Sequence, residues 1–586
     1  MLTNKGWNVA RRATLVSAWL CVSGVAFASA PTLTAECPEQ LDTLLAEYSS
    51  TRGPGLAVGV YSGATPLCMR GYGMADLENA APIGPDTIFP VASMSKHFTA
   101  FAVLLLASEG KVDLDADIRK YLPYVPGFGV RITARHLIYH TSGIRDQESL
   151  FNFSGLDDAS AQRQKVVLNW VQRQRALNFS PGTDHAYNNT GYTLLAELVQ
   201  AVSGKTLREF SDERIFGPLQ MRDTHFSDRL PEIVARRAES YARPAGTTVW
   251  QRKLLNQETV GATGLRTTVR DLARWAGNFA KPVVGDATTL REFITPGALD
   301  DGAPLVYGFG LYRGPVLGRD TVSHDGAEAG YRSTFLHFID EDVSVAVLSN
   351  RPVNVAGLAE KIAALYLVAA ESPLSPPLVS AIGGATTSQL GSVEPLASDG
   401  ARAAKLAAAL VGHYAAYAQL LRFERRGDVV GLTSGDSFTP IVFRTDGTFD
   451  LGDEERRKGD YYKVINEGSR IVALVDGKVG GEGRPARYSR VQPIDPAHLD
   501  LRPFVGTYRS TELDVSYSVY IDGDTLKARA LLAPEPLTLK PLYQNAFSGG
   551  SWTFGHIAFE RKGKAHATAL IFSNERARNV RFGRVP

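Results

Sequence analysis

A serine and a lysine three residues apart, in Pro90-Val91-Ala92-Ser93-Met94-Ser95-Lys96, are the first residues of this chain that could do chemistry together. At the start of a helix that spacing puts both side chains on one face, one turn apart. A serine hydroxyl is a weak nucleophile and needs a base. A buried lysine beside other cations can lose its proton near neutral pH and take that role. The Ser93 amide, at a helix N-terminus, could face a developing oxyanion. Alone the pair is weak evidence, because a chain of 586 residues holds about one such spacing by accident.

Two later segments supply the missing functions. Tyr187-Asn188-Asn189 follows Pro181-Gly182-Thr183 and precedes a helix-like stretch from Tyr192. A phenol at Tyr187 near Lys96 could relay a proton between nucleophile and leaving group, and the Asn189 amide could hold Lys96 and a substrate carbonyl. Ser323-His324-Asp325-Gly326-Ala327 leads toward a strand beginning near Ser333. There Gly326 would let substrate approach the backbone, the Ala327 N–H would be a second oxyanion donor, and His324 would orient Tyr187 and attract an anionic substrate group. His140 reads as a structural residue holding the Thr141-Ser142-Gly143 turn. His97, Ser95 and Asp325 are as readily surface or supporting residues as anything else.

Other chemistries are poorly served. A His-Glu-x-x-His signature and paired cysteine ligands are both absent, so no metal site is expected. No glycine-rich nucleotide loop follows a strand, so no cofactor is expected. The Gly-x-Ser-x-Gly elbow of α/β-hydrolases is missing too.

The elements that must position these residues can be read from pattern. Lys5, Arg11 and Arg12, the apolar stretch Ala13 to Ala28, and the small residues Ala28-Ser29-Ala30 read as an export signal over residues 1–30, giving a periplasmic or secreted protein. Removing it drops three of 63 basic and none of 61 acidic residues, so the net charge falls from +2 to −1. That argues against a nucleic-acid partner. No later apolar run reaches the length of a membrane span. Cys37 and Cys68 remain, and an oxidising compartment permits a disulfide from the first helix to the first hairpin.

Glu39 to Tyr48 reads as an amphipathic helix, and Gly55–Tyr61 and Pro66–Arg70 as strands joined at Ser62-Gly63. Phe98–Leu106 reads as a buried helix beginning close to Ser93. Ser333–Phe338 and Val343–Ser349 form a second hairpin, followed by a helix from Val355 to Ala370. Strands at both ends with helices between predict one antiparallel sheet covered by helices, an α+β domain over residues 31–372. Residues 373–398 have linker composition. Beyond them, Leu410-Val411-Gly412-His413-Tyr414 matches Phe504-Val505-Gly506-Thr507-Tyr508, and Arg487-Tyr488-Ser489-Arg490-Val491 matches Arg581-Phe582-Gly583-Arg584-Val585. Both matches fall at the same offset, which predicts two small antiparallel β-barrel domains, 399–493 and 494–586. The chain is therefore multidomain.

With the order and surroundings of these motifs, the chain resembles the serine penicillin-recognising family, whose members include class C β-lactamases, D-alanyl-D-alanine carboxypeptidases, esterases and D-aminopeptidase. Leu137-Ile138-Tyr139-His140-Thr141-Ser142-Gly143-Ile144 and Gly261-Ala262-Thr263-Gly264-Leu265 extend the likeness over about residues 40–372. The resemblance implies an acyl-enzyme on Ser93, proton transfer by Lys96 and Tyr187, support from Asn189 and His324, and an oxyanion hole of the Ser93 and Ala327 amides. His324-Asp325-Gly326 departs from the commoner Lys-Thr-Gly and is closer to the D-aminopeptidase pattern, as are the tandem barrels. A loop of the last barrel shapes specificity in that enzyme. No short motif marks it here, and the neighbourhood of Asn545 to Gly550 is one candidate. The expected substrate is a short peptide with D- or otherwise non-standard residues, or an ester. A carboxylesterase, a D-Ala-D-Ala carboxypeptidase, a hydrolase of linearised cyclic peptides and a non-enzymatic peptide or peptidoglycan binder stand as alternatives. The oligomeric state is left open, a homodimer included.

Overall fold

A computed structural model of the protein describes residues 37–156, 160–230, 232–367, 401–416, 419–434, 437–444, 448–451, 461–468, 470–476, 486–563 and 565–586. The expected signal segment, residues 1–30, and the expected linker, residues 373–398, lie outside them.

Six strands make the main sheet: β1 (Leu56–Ser62), β2 (Thr65–Tyr72), β3 (Tyr312–Val316), β4 (Arg319–Glu328), β5 (Tyr331–Phe338) and β6 (Val343–Ser349). Their order is β3-β4-β5-β6-β1-β2. All pairs are antiparallel, and β1 joins β6 in the register Leu56↔Ser349. The sheet is thus closed up from both ends of the domain, as the sequence predicts. β6 is buried throughout, because both faces of the sheet are covered. Val343, Val345 and Val347 point with Val58 and Val60 toward α1 (Glu39–Leu44) and the later helix Val355–Tyr366. Ala346 and Leu348 point with Ala57 and Tyr61 to the opposite layer.

That layer holds α2 (Ser95–Ser108), α3 (Gln147–Phe153), α4 (Asn189–Ser203) and α5 (Val269–Ala280); the helix Val355–Tyr366 is α6. Every residue of α2 from Ser95 to Leu106 is buried, so it is a central helix with no solvent face. Trp275 of α5 is enclosed by Phe98, Phe101 and Phe293. Burying each such ring contributes about 1.5–3 kcal/mol. His97 belongs to this cluster rather than to any surface, with its ring stacked 5.7 Å from that of Trp275. Cys37 and Cys68 are disulfide-bonded, with Cα atoms 5.0 Å apart, tying the chain ahead of α1 to β2. Among the described residues no helix is long and apolar enough to cross a membrane.

Two closed eight-stranded antiparallel barrels follow, from Gly412–Ala416 to Arg487–Val491 and from Gly506–Ser510 to Val580–Arg584. The repeated residues form the seam of each. In the first, Arg490 donates to Val411 O (2.5 Å) and Tyr414 OH (3.3 Å), and Tyr414 OH donates to Leu410 O (3.1 Å). In the second, Arg584 donates to Val505 O (2.8 Å) and Tyr508 OH (3.3 Å), and Tyr508 OH donates to Phe504 O (2.8 Å). Gly412 and Gly506 lie at φ 149° and 157°, and a Cβ on either would meet its seam guanidinium at 2.7 and 2.8 Å. The repeat therefore encodes barrel closure.

Candidate active site

Ser93 sits in the 3-10 turn Ala92–Met94 immediately ahead of α2. Ala92 takes φ 48°, a conformation that costs a residue with a β-carbon about 1–2 kcal/mol. Neighbours pin it. Ser95 Oγ donates to Ala92 O (2.6 Å), Ser333 Oγ donates to Val91 O (2.7 Å), and the Val91 amide donates to Leu265 O (3.0 Å). Ser95 is therefore a buried clamp on the turn that carries Ser93.

Lys96 Nζ lies 3.1 Å from Ser93 Oγ, 2.8 Å from Asn189 Oδ1 and 2.9 Å from the Ala262 carbonyl. Complete burial, helped by the charge of Arg576, pulls its pKa down to about 7, against the opposing pull of Asp146, Glu148 and Glu328. A neutral amine is thus accessible near physiological pH, as a base for Ser93 requires. Nζ also stands 4.7 Å from the centre of the Tyr187 ring.

Tyr187 and Asn189 are held by His140. The His140 carbonyl accepts from the Ala186 amide (3.0 Å), its Nδ1 accepts from the Asn188 amide (3.1 Å), and its ring packs 4.4 Å from that of Tyr187. His140 is structural, as expected, but what it organises is the Tyr187 segment. Asn188 caps α4 by accepting from the Gly191 amide (2.6 Å), which leaves Asn189 at the first helical position facing Lys96.

His324 is not ahead of a strand but inside β4, whose register with β5 places Gly326 opposite Ser333. Burial first, and then the charge of Lys96, drop the His324 pKa to about 3. It is neutral at working pH, so it acts through hydrogen bonds, with Nε2 3.3 Å from the Tyr307 hydroxyl and Nδ1 2.6 Å from the Asp325 carbonyl. Gly326 also differs from its expected role: a Cβ there would meet Val91 O at 2.1 Å and Ser333 Oγ at 2.4 Å. Its missing side chain seats β4 against the turn before Ser93. The β3 pairing stops at Tyr312↔Ser323, so the stretch of β4 that carries His324 and Ala327 extends past its neighbour, into the wall of a cleft.

Ser93, Tyr187, Asn189, His324 and Ala327 line this one cavity of about 810 Å³, with Lys96 directly behind Ser93. Glu148, Glu328, Trp552 and Arg576 are among the further wall residues that the motifs do not mark. Burial raises both glutamic acids to about 7; Glu148 accepts from Gln162 (3.4 Å) and Glu328 from Thr263 (2.8 Å). Trp552 and Arg576 come from the last barrel. The Arg576 guanidinium lies 4.8 Å over the Tyr187 ring and 5.6 Å from that of Trp552. Trp552 follows directly on the Asn545–Gly550 neighbourhood, where an aromatic after Gly549-Gly550-Ser551 was the available signal. Nothing in the sequence around Arg576 marks it.

A sheet closed from both chain ends carries a buried helix that opens on a serine and a lysine, with a cavity over both. Residues 41–370 match the Beta-lactamase family, and the chain belongs to it. It is 30% identical to a D-aminopeptidase of Gluconobacter oxydans over 306 residues, 51% of this chain and 56% of that protein. It is 29% identical to a D-aminopeptidase of Cereibacter sphaeroides over 323 residues, 54% and 60% of the two chains. The chain thus spans little more than half the length of the curated relatives it matches. A solved structure described as SurE superposes with a TM-score of 0.50 at 21% identity, covering 77% of this chain and 97% of that one, a likeness of fold.

Proposed function

We propose that this protein is an exported aminopeptidase that cleaves the first residue, D-configured or otherwise non-standard, from short peptides through an acyl-enzyme on Ser93. The observation that carries the reading is the buried Lys96 amine, 3.1 Å from Ser93 Oγ and with its pKa near 7. In the proposed reaction Ser93 Oγ attacks the scissile carbonyl as its proton passes to Lys96, and the Ser93 and Ala327 amides receive the oxyanion. Collapse breaks the C–N bond, with the proton delivered to the leaving amine by way of Tyr187. Water then hydrolyses the ester and restores Ser93. Asn189 holds Lys96, and His324, through Tyr307, supports the wall that faces Tyr187.

The preference for a free amino terminus is supported by Glu148 and Glu328, two carboxyls in the cavity wall suited to an ammonium group, and by the names of the relatives. Export is supported by the disulfide. Intact-mass analysis with a fluorophosphonate tests the nucleophile: an adduct on the wild type and none on Ser93→Ala is expected, and equal labelling would remove Ser93 from the role. D- and L-aminoacyl p-nitroanilides, D-Ala-D-Ala peptides and short esters test the substrate. Turnover of esters with every peptide refused would make the protein an esterase instead.

A further inference from the structure

We propose that Glu512, in the last barrel, is a positioning residue for the Ser93–Lys96 pair, acting through Arg145 and Asp146, so that barrel docking sets the geometry of the reacting groups. The inference rests on the Ser93 acyl-enzyme reading.

Residues 142–146 form neither helix nor strand, so this segment has no ladder of its own to hold its backbone. The barrel provides the partners. Arg145 Nη1 donates to both Glu512 oxygens at 2.7 and 2.6 Å, in a pair whose side chains are only 3% and 9% exposed. Its Nε and Nη2 donate to the Arg578 and Asn579 carbonyls at 3.1 and 3.3 Å. The next amide, of Asp146, donates to Arg576 O at 3.0 Å.

The other side of the same segment holds the catalytic residues. Thr190 Oγ1 donates to Arg145 O (2.8 Å), and the Asn189 amide donates to Asp146 Oδ1 (2.7 Å). Asn189 Oδ1 then accepts from Lys96, and Lys96 meets Ser93. An unbroken series of charge-assisted and backbone bonds therefore runs from Glu512 to the nucleophile. Its last links leave no slack, since Asn189 is fixed at both its amide and its side chain. A guanidinium with all three nitrogens engaged suits such a task, because its planar set of donors fixes direction as well as distance.

Asp146 adds an electrostatic role. Lys96 is faced by Asp146, Glu148 and Glu328, which favour its charged form, and by Arg576, which disfavours it. His140 and His324 nearby are kept neutral by burial. Asp146 thus both places Asn189 and biases the proton on Lys96.

The test is the rate of Ser93 labelling by a small fluorophosphonate across pH, in the full chain, since so small a reagent reports on the nucleophile rather than on peptide binding. Glu512→Gln should slow labelling about tenfold or more, because displacement of a catalytic group by a fraction of an ångström has effects of that size. Glu512→Asp, which keeps the charge, should recover part of the rate and serves if the Gln variant does not fold. Asp146→Asn should slow labelling and also move its acid limb to lower pH, a shift that a purely structural residue would not cause. Trp170, whose ring lies 6.0 Å from that of Phe151 in the apolar core shared with the last barrel, gives the control: Trp170→Phe keeps a ring there and should lower the melting temperature with rate and profile unchanged. Wild-type labelling rates in Glu512→Gln, or equal slowing by Trp170→Phe, would overturn the proposal while leaving Ser93 as nucleophile. An unlabelled wild type would overturn both readings.

Discussion

The two barrels share a topology, a seam arginine and a closing tyrosine, yet they stand in different relations to the hydrolase domain. Among the described residues the first barrel packs its core around Leu410, Tyr414, Phe423 and Phe449, without any residue of that domain. The core of the second is continuous with Leu150, Phe151 and Phe153 of α3 and with Trp170. Phe153 meets Phe572 and Phe554 at 5.3 and 5.6 Å between ring centres. Between their matched ends the two copies fall out of step, and Glu512 and Trp552 both lie in that divergent part of the second. What the copies have in common closes a barrel, and where they differ, the second lines the cleft over Ser93. A duplicated scaffold thus separates the residues that make a fold from those that give it work.

Mutations at matched depth should expose the contrast most strongly. Phe572→Ala and Phe449→Ala each empty a fully buried site and should cost about 3–5 kcal/mol in a denaturant melt. Only Phe572→Ala should also slow Ser93 labelling, because removing the whole ring under Phe153 displaces the docked barrel and Glu512 with it, whereas Trp170→Phe keeps a ring in place. Equal loss from both would erase the distinction between the barrels. Next in size, Arg584→Lys and Arg490→Lys lose the guanidinium fork at each seam and should each cost about 1–2 kcal/mol. Calorimetry should show two separate transitions shifting, one per variant, with activity following the Arg584 variant alone.

Smaller and more diagnostic is Arg576→Ala. Its positive charge helps hold the Lys96 pKa down, so removing it should move the acid limb of the pH–rate profile upward, opposite to the shift expected for Asp146→Asn. An unmoved limb would make the arginine a wall residue without electrostatic influence. The smallest effect concerns Glu148 and Glu328, whose carboxyls rise from the usual 4.5 to about 7 on folding. Between those values the native state binds more protons than the unfolded chain, so stability falls as pH rises from about 4.5 to 7. Gln at either position should flatten that slope in melting curves, and no such change is expected of variants in the first barrel.

Much of this arrangement was legible beforehand, for identifiable reasons. The β1 and β6 runs, the buried α2 and the barrel repeat are written in local periodicity or direct recurrence, and Ser93, Lys96, Tyr187 and Asn189 sit in short motifs at fixed spacings. Three features escaped because their meaning lies in distant partners. Asp146 is an ordinary helix cap until Asn189 arrives from 43 residues away. Glu512 and Arg145 are single charges in unpatterned loops, 367 residues apart. The strand character of His324–Ala327 was hidden because a polar His-Asp-Gly run lacks the alternation that marks a strand, and pairing with β5 outweighs that composition.

Gly326 gives the cleft its manufacturing tolerance. The width between the nucleophile's turn and the facing strand is gauged by the absence of a single carbon, since a methyl group at that point would stand 2.1 Å from the Val91 oxygen. The strained turn at Ala92 cannot retreat, being clamped on its other side, so the whole misfit would be thrown onto β4 and the stretch from His324 to Ala327 that lines the cleft. The cleft is dimensioned by an atom that is not there, and the smallest side-chain addition available to a protein is enough to put the part out of specification.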